Sequence, residues 1–568
     1  MEKFWKITAD EDHDDQLQEQ LKVDRIVARL LKRRNILSYE EARKFFRPTL
    51  DQLHDPFLMK DMDKAIDRIN EAIRNNERVL IFGDYDVDGT TAVSLVYSFI
   101  KAHIASVGYY IPDRYKEGYG ISLAGIDYAA DNGYSLVIAL DCGIKANDKI
   151  AYANEKKVDF IICDHHLPGN ELPMAIAILD PKQPGCEYPY KELSGAGIGF
   201  KLIQAFSISR NLPVEDCFRY LDLVVTSIAA DIVPITGENR VLAHFGLEKI
   251  NSAPRPGIKA LLNINQQKSA ANISTLVFTL GPRINAAGRI EHGSKAVELL
   301  TCEEDGLADG FALAINDTNT QRRDLDLGTT TEAFEILDND LLTPSRRTTV
   351  LFNENWHKGV IGIVASRLIE KYYRPTIILT ESEGKITGSA RSVREYDVYS
   401  AIEKCSDLLD QFGGHKFAAG LSLKKENVQA FKDRFEAVVS ESITEDQLIP
   451  KLEIDLEIEF HEVTDKLLRI IRQFAPHGPE NMTPLFCSRN VFETGWGQVF
   501  GNNHLRLELF QKSNPNIRFQ AIAFDKGDYI NFFQRKIPMD IVYKIQENEF
   551  RGSTTIQLVI EDLRVNAG

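Results

Sequence analysis

The 568-residue chain is long enough for several domains, and 43% hydrophobic with 26% charged residues is ordinary for a soluble globular protein. A formal charge of −16 argues against a general polyanion binder, but leaves room for a local basic groove. No apolar run reaches ~18 residues and the seven scattered cysteines form no CxxC, so no membrane span, zinc site or disulfide framework is expected. The opening Met-Glu-Lys-Phe-Trp-Lys lacks the apolar region of a signal peptide, and a reducing cytoplasm is the expected location.

Residues 1–77 are charged and helical in pattern. Leu17, Leu21, Ile26, Leu30 and Leu31 share a helix-like face, and Ser38-Tyr-Glu-Glu41 reads as a capping box opening a helix that Pro48 stops. Ile66, Ile69 and Ile73 are in register on a further amphipathic helix. The segment is expected to be a helical lead-in packed on the domain that follows.

Residues 78–235 alternate strand and helix, the rhythm of a doubly wound parallel sheet. Four apolar runs each end in an acid. Val79–Phe82 leads to Asp84-Tyr-Asp86-Val-Asp88-Gly89, Leu136–Leu140 to Asp141-Cys-Gly143, Phe160–Cys163 to Asp164-His165-His166, and Ala175–Leu179 to Asp180. Sites of open α/β sheets lie outside the carboxyl ends of the strands, so these side chains are expected to converge. Two carboxylates ~4 Å apart repel by about 4 kcal/mol at an effective dielectric of about 20, so the cluster needs a cation. Oxygen ligands with a little imidazole suit Mn²⁺ or Mg²⁺, and ions ~3.5–4 Å apart make the two-metal arrangement of phosphoester hydrolases. A single strand-end Asp is by itself an ordinary helix cap; the acid-rich run together with Asp-His-His is what points to metal.

Arg114 follows a strand into a glycine-containing loop, where its planar fork matches phosphate or is simply a surface arginine. Tyr119 in the same loop is a candidate to stack on a base. Ser194-Gly-Ala-Gly-Ile-Gly-Phe-Lys201 is neither GxGxxG nor a P-loop and reads as a close backbone approach at a helix start. Asp231 closes the apolar helix Leu221–Ala230 and by composition is a helix-end acid.

Residues 236–345 form a helical connector, with 296–340, which has Gly328 near its middle, expected as a long helix, broken or bent, rather than a flexible linker. Within it, Gly281-Pro-Arg283-Ile-Asn-Ala-Ala-Gly-Arg289 is polar, small and close-fitting, and one of its arginines is a candidate to neutralise charge developing on phosphorus: Arg283 first, Arg289 second. Residues 346–440 begin a smaller α/β unit. There Gly388-Ser389-Ala-Arg391-Ser392 is a phosphate-cradling candidate, and Gly413–Gly420 places His415 and Lys416 in a turn. Residues 450–568 alternate like strands at 454–460, 504–510, 518–524, 539–543 and 554–560, with one helix at 464–474, which suggests an OB-like β-barrel. Trp496, Phe500, Phe519 and Phe524 are stacking candidates of which at least half are expected in the core, and Arg506, Lys512, Arg518, Arg535, Lys536 and Arg551 could track a backbone.

Gly83–Thr91, Asp141-Cys-Gly143 and Asp164-His165-His166 resemble the motifs of the DHH phosphoesterase superfamily, and Gly413–Gly420 resembles the signature of its DHHA1 domain. With Gly281–Arg289 between them, the set resembles the RecJ family of single-strand-specific 5′→3′ DNA exonucleases, over residues 40–568. The resemblance implies a DHH catalytic domain, a connector, a DHHA1 domain and an OB-like nucleic-acid-binding domain. It implies two divalent cations, Mn²⁺ or Mg²⁺, on Asp84, Asp86, Asp88, Asp141, His165 and Asp231. Phe82 stands where many superfamily members place a ligand histidine, with Asp84 as its substitute. His166 is implied to contact the scissile phosphate, with Asp141 and Arg283 as catalytic partners, and Arg114, Ser389, Arg391, His415, Lys416 and Arg289 to hold the substrate phosphates. The implied activity is release of 5′-mononucleotides from single-stranded DNA in repair and recombination. A monomer is expected, with a single-strand-binding protein and a RecQ-type helicase as partners and no membrane. Two other readings remain: a phosphodiesterase of short oligonucleotides or cyclic dinucleotides, and a non-catalytic scaffold that binds single strands.

Overall fold

The computed structural model describes residues 2–7, 15–266, 269–382, 384–550 and 552–566; Arg551 lies outside them. The N-terminal expectation is half corrected. Strand β1 (Phe4–Ile7) runs parallel to residues 451–454, and the helices Arg25–Lys32 and Tyr39–Phe46 share an apolar core with the C-terminal barrel, including Leu30, Leu31, Leu507 and Tyr543. An amphipathic pattern says that a face is buried, not against which partner. The capping box is present, with Ser38 Oγ accepting from Glu41 N at 3.2 Å. The helix Met62–Arg74 does pack its Ile66 and Ile69 on the first α/β domain.

That domain is a five-stranded parallel sheet of β2 (Arg78–Gly83), β3 (Val107–Tyr110), β4 (Tyr134–Leu140), β5 (Asp159–Cys163) and β6 (Ala177–Leu179), in the order β3-β2-β4-β5-β6. Separate apolar cores cover its two faces, one containing Ile81, Ile138 and Ile161, the other Leu80, Val137 and Ile162, which is why the strands read as continuous apolar runs. The order reverses between β2 and β4, the switch point at which such sheets bind ligands. The strands ending in Asp84-Tyr-Asp86-Val-Asp88 and in Asp141 are those two. Phe82 is buried in β2 and stacks on Tyr110 at 5.5 Å, a core residue.

The connector ends in an unbroken 35-residue helix, Asp305–Asn339, ~50 Å long. The expected break in 296–340 falls at 302–304, and the helix continues through Gly328. A lone glycine costs a helix about 1 kcal/mol, which burial of Thr330, Ala333 and Leu337 offsets.

The smaller α/β unit is a five-stranded sheet of β7 (Thr349–Phe352), β8 (Thr376–Ser382), β9 (Lys385–Arg391), β10 (Gln411–His415) and β11 (Ala418–Leu423), in the order β10-β11-β9-β8-β7. Ser389 and Arg391 therefore sit on a strand, two residues apart and on one face, and not in a loop. His415 ends β10, and the β10–β11 hairpin turns at Lys416 and Phe417.

Strands β12 (Lys451–Ile454) and β13 (Leu456–Glu457) lead into the barrel, formed with β14 (Phe486–Glu493), β15 (Gln498–Phe500), β16 (His504–Gln511), β17 (Asn514–Ala523), β18 (Met539–Phe550) and β19 (Ser553–Val565). The pairings β14-β18-β19-β17-β16 close through β14–β16 into a five-stranded barrel, with β13 and β15 on its edges. The first expected strand supplies only the short edge strand β13, which pairs β14; β12 pairs β1, and Phe460 starts a helical turn. The barrel uses β14 in its place, whose register shift between Ser488 and Val491 breaks the alternation that sequence reading relies on. Phe519 is core, whereas Trp496 and Phe524 are exposed.

Candidate metal centre and substrate cleft

Gly83 ends β2, and the helix Val87–Ile100 begins almost at once, capped by Asp86, whose carboxylate accepts from Gly89 N at 2.9 Å. Asp88 therefore lies in the first turn of this helix. A Cβ at Gly89 would meet Asp84 O at 2.4 Å; only glycine lets the helix start pack so close to the strand end. Asp88 is held by three donors: Gly195 N at 2.7 Å, Ala196 N at 2.8 Å and Ser227 Oγ at 2.7 Å. The Ser194–Gly195 segment is thus a close approach as expected, its Gly195 set against Asp141, where a Cβ would come within 2.7 Å.

His165 Nε2 is the hub. It lies 3.2 Å from Asp141 Oδ1, 3.5 Å from Asp231 Oδ2 and 3.7 Å from Asp88 Oδ2. Asp88, His165 and Asp231, and likewise Asp141, His165 and His166, offer ligand atoms within 4.8 Å of one another. Asp86 joins the group as a charge neighbour of both Asp88 and Asp141. Asp84 stands behind Asp86, accepting from Gly120 N at 3.3 Å.

Burial, and then the neighbouring carboxylates, push the Asp84, Asp86 and Asp141 carboxyls above the usual range, and Asp231 up to about 8. Asp84 Oδ2, Asp141 Oδ1 and His165 Nε2 are buried without a hydrogen-bond partner among the described residues. Buried polar atoms seldom go unpaired, and unpaired acceptors beside one another are the environment a cation satisfies. Oxygen donors with one or two imidazoles fit a hard divalent ion such as Mn²⁺ or Mg²⁺.

Asp164 does different work. Its Oδ1 accepts from His165 N at 2.8 Å and sits 2.7 Å from His166 Nδ1, while Oδ2 accepts from Ile144 N at 2.9 Å. Burial opposes its charge, but the bond to His166 prevails and holds the carboxyl down to about 2. Burial likewise pulls His166 down, and Asp164 outweighs it, raising the imidazole to about 9. With Nδ1 engaged, Nε2 is left facing the cleft, 3.5 Å from Tyr119 Oη.

The cleft, ≈ 1080 Å³, has the carboxylate side of the first domain as one wall and Ser389, Arg391, Gly414 and His415 of the smaller unit as the other. Arg114 and Tyr119 line it as well. Arg114 lies over the Tyr85 ring at 5.0 Å, and Arg391 Nη1 donates to Ser389 Oγ at 3.1 Å. Burial and then Arg114 lower the pKa of both Arg391 and Arg289, an accumulation of like charge that an anion relieves.

Two site expectations are changed by the geometry. Arg283 is tied to Asn316 Oδ1 at 3.1 Å and Thr279 O at 2.7 Å, with Arg323 as its charged neighbour. Arg289 instead neighbours Arg114, Arg391 and Asp86. Six residues apart on one helix, the two point about 120° apart, and it is Arg289 that lies near the cleft residues Arg114 and Arg391. Lys416, at the hairpin tip, lies outside the cleft wall. Sequence reading overlooked Ser227, Gly195 and Ala196 as the support of Asp88, Asp164 as the support of the histidines, and Lys145 and Lys182 on the cleft wall. The small-residue run at 194–199 was the available signal for the first; nothing local marks Ser227.

Residues 78–228 match the DHH family, N-terminal domain, residues 346–441 the DHHA1 domain and residues 454–562 the RecJ OB domain. The chain is 36% identical over 567 residues to the single-stranded-DNA-specific exonuclease RecJ of Bacillus subtilis (strain 168), covering 99% of this chain and 71% of that protein. It is 32% identical over 528 residues to the RecJ of Escherichia coli (strain K12), covering 89% and 90%. The crystal structure of RecJ in complex with Mn²⁺ from Thermus thermophilus has the same fold, with a TM-score of 0.85 at 24% identity, covering 100% of this chain and 80% of that one. A crystal structure of exonuclease RecJ bound to manganese matches 70% of this chain and 97% of that one, with a TM-score of 0.61 at 29% identity. With all three domain types in this order and full-length relatives above 30% identity, the chain belongs to the RecJ family of exonucleases.

Proposed function

We propose that this protein is a metal-dependent exonuclease that removes 5′-mononucleotides from single-stranded DNA in the 5′→3′ direction. The observation that carries the reading is one cleft with two unlike walls: Asp86, Asp164, His165 and His166 on one side, Ser389 and Arg391 on the other. Asp84, Asp86, Asp88, Asp141, His165 and Asp231 would hold Mn²⁺ or Mg²⁺, which supplies an activated water and charge stabilisation at phosphorus.

The chain's own groups do the rest. Gly195, Ala196 and Ser227 fix the Asp88 carboxylate, and Asp164 orients His166 so that Nε2 can donate to an oxygen of the scissile phosphate. Arg289 offsets charge that builds up there. Arg114, Ser389 and Arg391 hold the terminal 5′-phosphate, with His415 beside them. Anchoring the 5′ end opposite the carboxylates places the first phosphodiester at the metal centre, which accounts for both polarity and product. The barrel receives the strand beyond the cleft. Work in DNA repair and recombination, as a cytoplasmic monomer with a single-strand-binding protein and a RecQ-type helicase as partners, belongs to the same reading.

The test is timed hydrolysis with Mn²⁺ of a labelled single strand, the same sequence as a blunt duplex, and a dinucleotide. Stepwise mononucleotide release from the single strand, none from the duplex, and measurable but slower turnover of the dinucleotide are expected. Faster turnover of the dinucleotide would favour a short-oligonucleotide phosphodiesterase, and strand binding without release would favour a scaffold.

A further inference from the structure

Arg240 lies on the helix Gly237–Ser252 of the connector, against the catalytic domain, and is almost fully buried. Among the described residues it has no carboxylate partner. Its guanidinium donates to five backbone carbonyls instead: Phe45 O at 3.1 Å, Gln473 O at 3.4 Å, Phe474 O at 2.9 Å, Ala475 O at 3.0 Å and Pro476 O at 3.4 Å. It also lies over the Phe45 ring at 3.7 Å. Residues 473–476 close the helix Asp465–Gln473 on the barrel side, where terminal carbonyls lack partners of their own and carry partial negative charge. One cation thus joins the N-terminal helices, the connector and the barrel's own helix.

The surroundings reinforce the junction. Asn481 Nδ2 donates to Phe474 O at 2.8 Å and Pro476 O at 2.9 Å, and Ile235 N donates to Pro479 O at 2.9 Å. Beside Arg240, however, the two bodies are separated by a groove of ≈ 820 Å³ that runs from His244 and Leu247 to Ile545–Glu547 of β18. Where apolar packing is interrupted, directional hydrogen bonds set the orientation. Burial and the nearby Arg34 pull the guanidinium down to about 9, the cost of keeping it there without a counter-charge.

We infer that Arg240 is a positioning residue that fixes the barrel relative to the catalytic cleft, so that its loss weakens capture of long strands while sparing chemistry at the metal centre. The inference rests on the exonuclease reading above. A long strand must meet barrel and cleft together, whereas a 5′-phosphorylated dinucleotide reaches only the cleft.

The experiment compares the full-length protein with Arg240→Met, Arg240→Lys and Asn481→Ala, on a strand of about 40 nucleotides and on the dinucleotide, with Mn²⁺. Arg240→Met is expected to raise KM for the strand about tenfold and leave kcat on the dinucleotide within about twofold of wild type. Arg240→Lys, which can reach fewer carbonyls, should fall between. Asn481→Ala loosens the same carbonyls with the arginine in place and should shift the strand KM in the same direction, which keeps the inference testable if Arg240→Met does not fold. Equal losses on both substrates, or an unchanged strand KM in every variant that folds, would overturn it. A wild-type protein inactive on both substrates would instead sink the exonuclease reading, and this inference with it.

Discussion

His165 Nε2 stands 3.2 Å from Asp141 Oδ1, yet both atoms are buried without a hydrogen bond among the described residues. Asp141 reaches this position from a backbone at φ +59°, a conformation that asparagine also tolerates. Asp141→Asn should therefore keep the fold while removing one charge from a crowded group. Hydrolysis is expected to fall by at least about 10³-fold. The metal-free thermal midpoint should stay level or rise, because a like-charge repulsion is gone. Calorimetry in EDTA beside an exonuclease assay checks both; near-normal turnover would count against the metal centre.

Ser227→Ala removes one of the three donors on Asp88 and leaves both backbone N–H groups. Partners that orient a ligand are typically worth about 10–100-fold in metal affinity. Titration calorimetry with Mn²⁺ should show weakening near the lower end of that range, with activity restored at saturating metal. Loss that no metal concentration restores would mean that Ser227 acts on the substrate or the fold.

The two arginines of Gly281–Arg289 should behave differently. Arg289 neighbours Arg114, Arg391 and Asp86, whereas Arg283 is tied to Asn316 and Thr279. Arg289→Ala is expected to lower kcat about 10²–10³-fold, as loss of a transition-state donor does. Arg283→Ala should change stability more than kcat. The reverse ranking in single-turnover kinetics would restore Arg283 to the catalytic position.

The pH dependence follows from the crowding. Asp231 is raised to about 8 in the fold, from about 4 when unfolded. A raised carboxyl stabilises the fold while it is protonated, so its contribution is complete below pH ~4 and is lost as pH climbs through ~8. His166, raised to about 9, acts in the same direction at higher pH. The metal-free protein should thus lose thermal stability between about pH 5 and 8, and Mn²⁺ should tighten over the same interval while releasing protons. Calorimetry in two buffers of different ionisation enthalpy measures that release; pH-independent affinity without proton release would refute the prediction.

Much of the site was legible because its chemistry is written at strand ends. Apolar runs closing on Asp84, Asp86, Asp88, Asp141 and Asp164-His165-His166 declare both a buried sheet and the edge where acids gather. Local pattern also set the capping box at Ser38, the helix Leu221–Ala230 and most strands of the barrel. Periodicity and capping depend on neighbours in sequence, so one sequence suffices to read them.

What only the tertiary structure decided concerns partners far apart in the chain. Ser227 supports Asp88 across 139 residues, and Arg289 rather than Arg283 neighbours Arg114 and Arg391 because of how one helix is rotated against its neighbours. The N-terminal helices pack on a barrel more than four hundred residues away, and β14 enters that barrel through a bulge that hides its alternation. An amphipathic face or a charged side chain specifies that it must be buried or paired. Which surface meets it is set by the packing of the whole chain, and no local window contains that information.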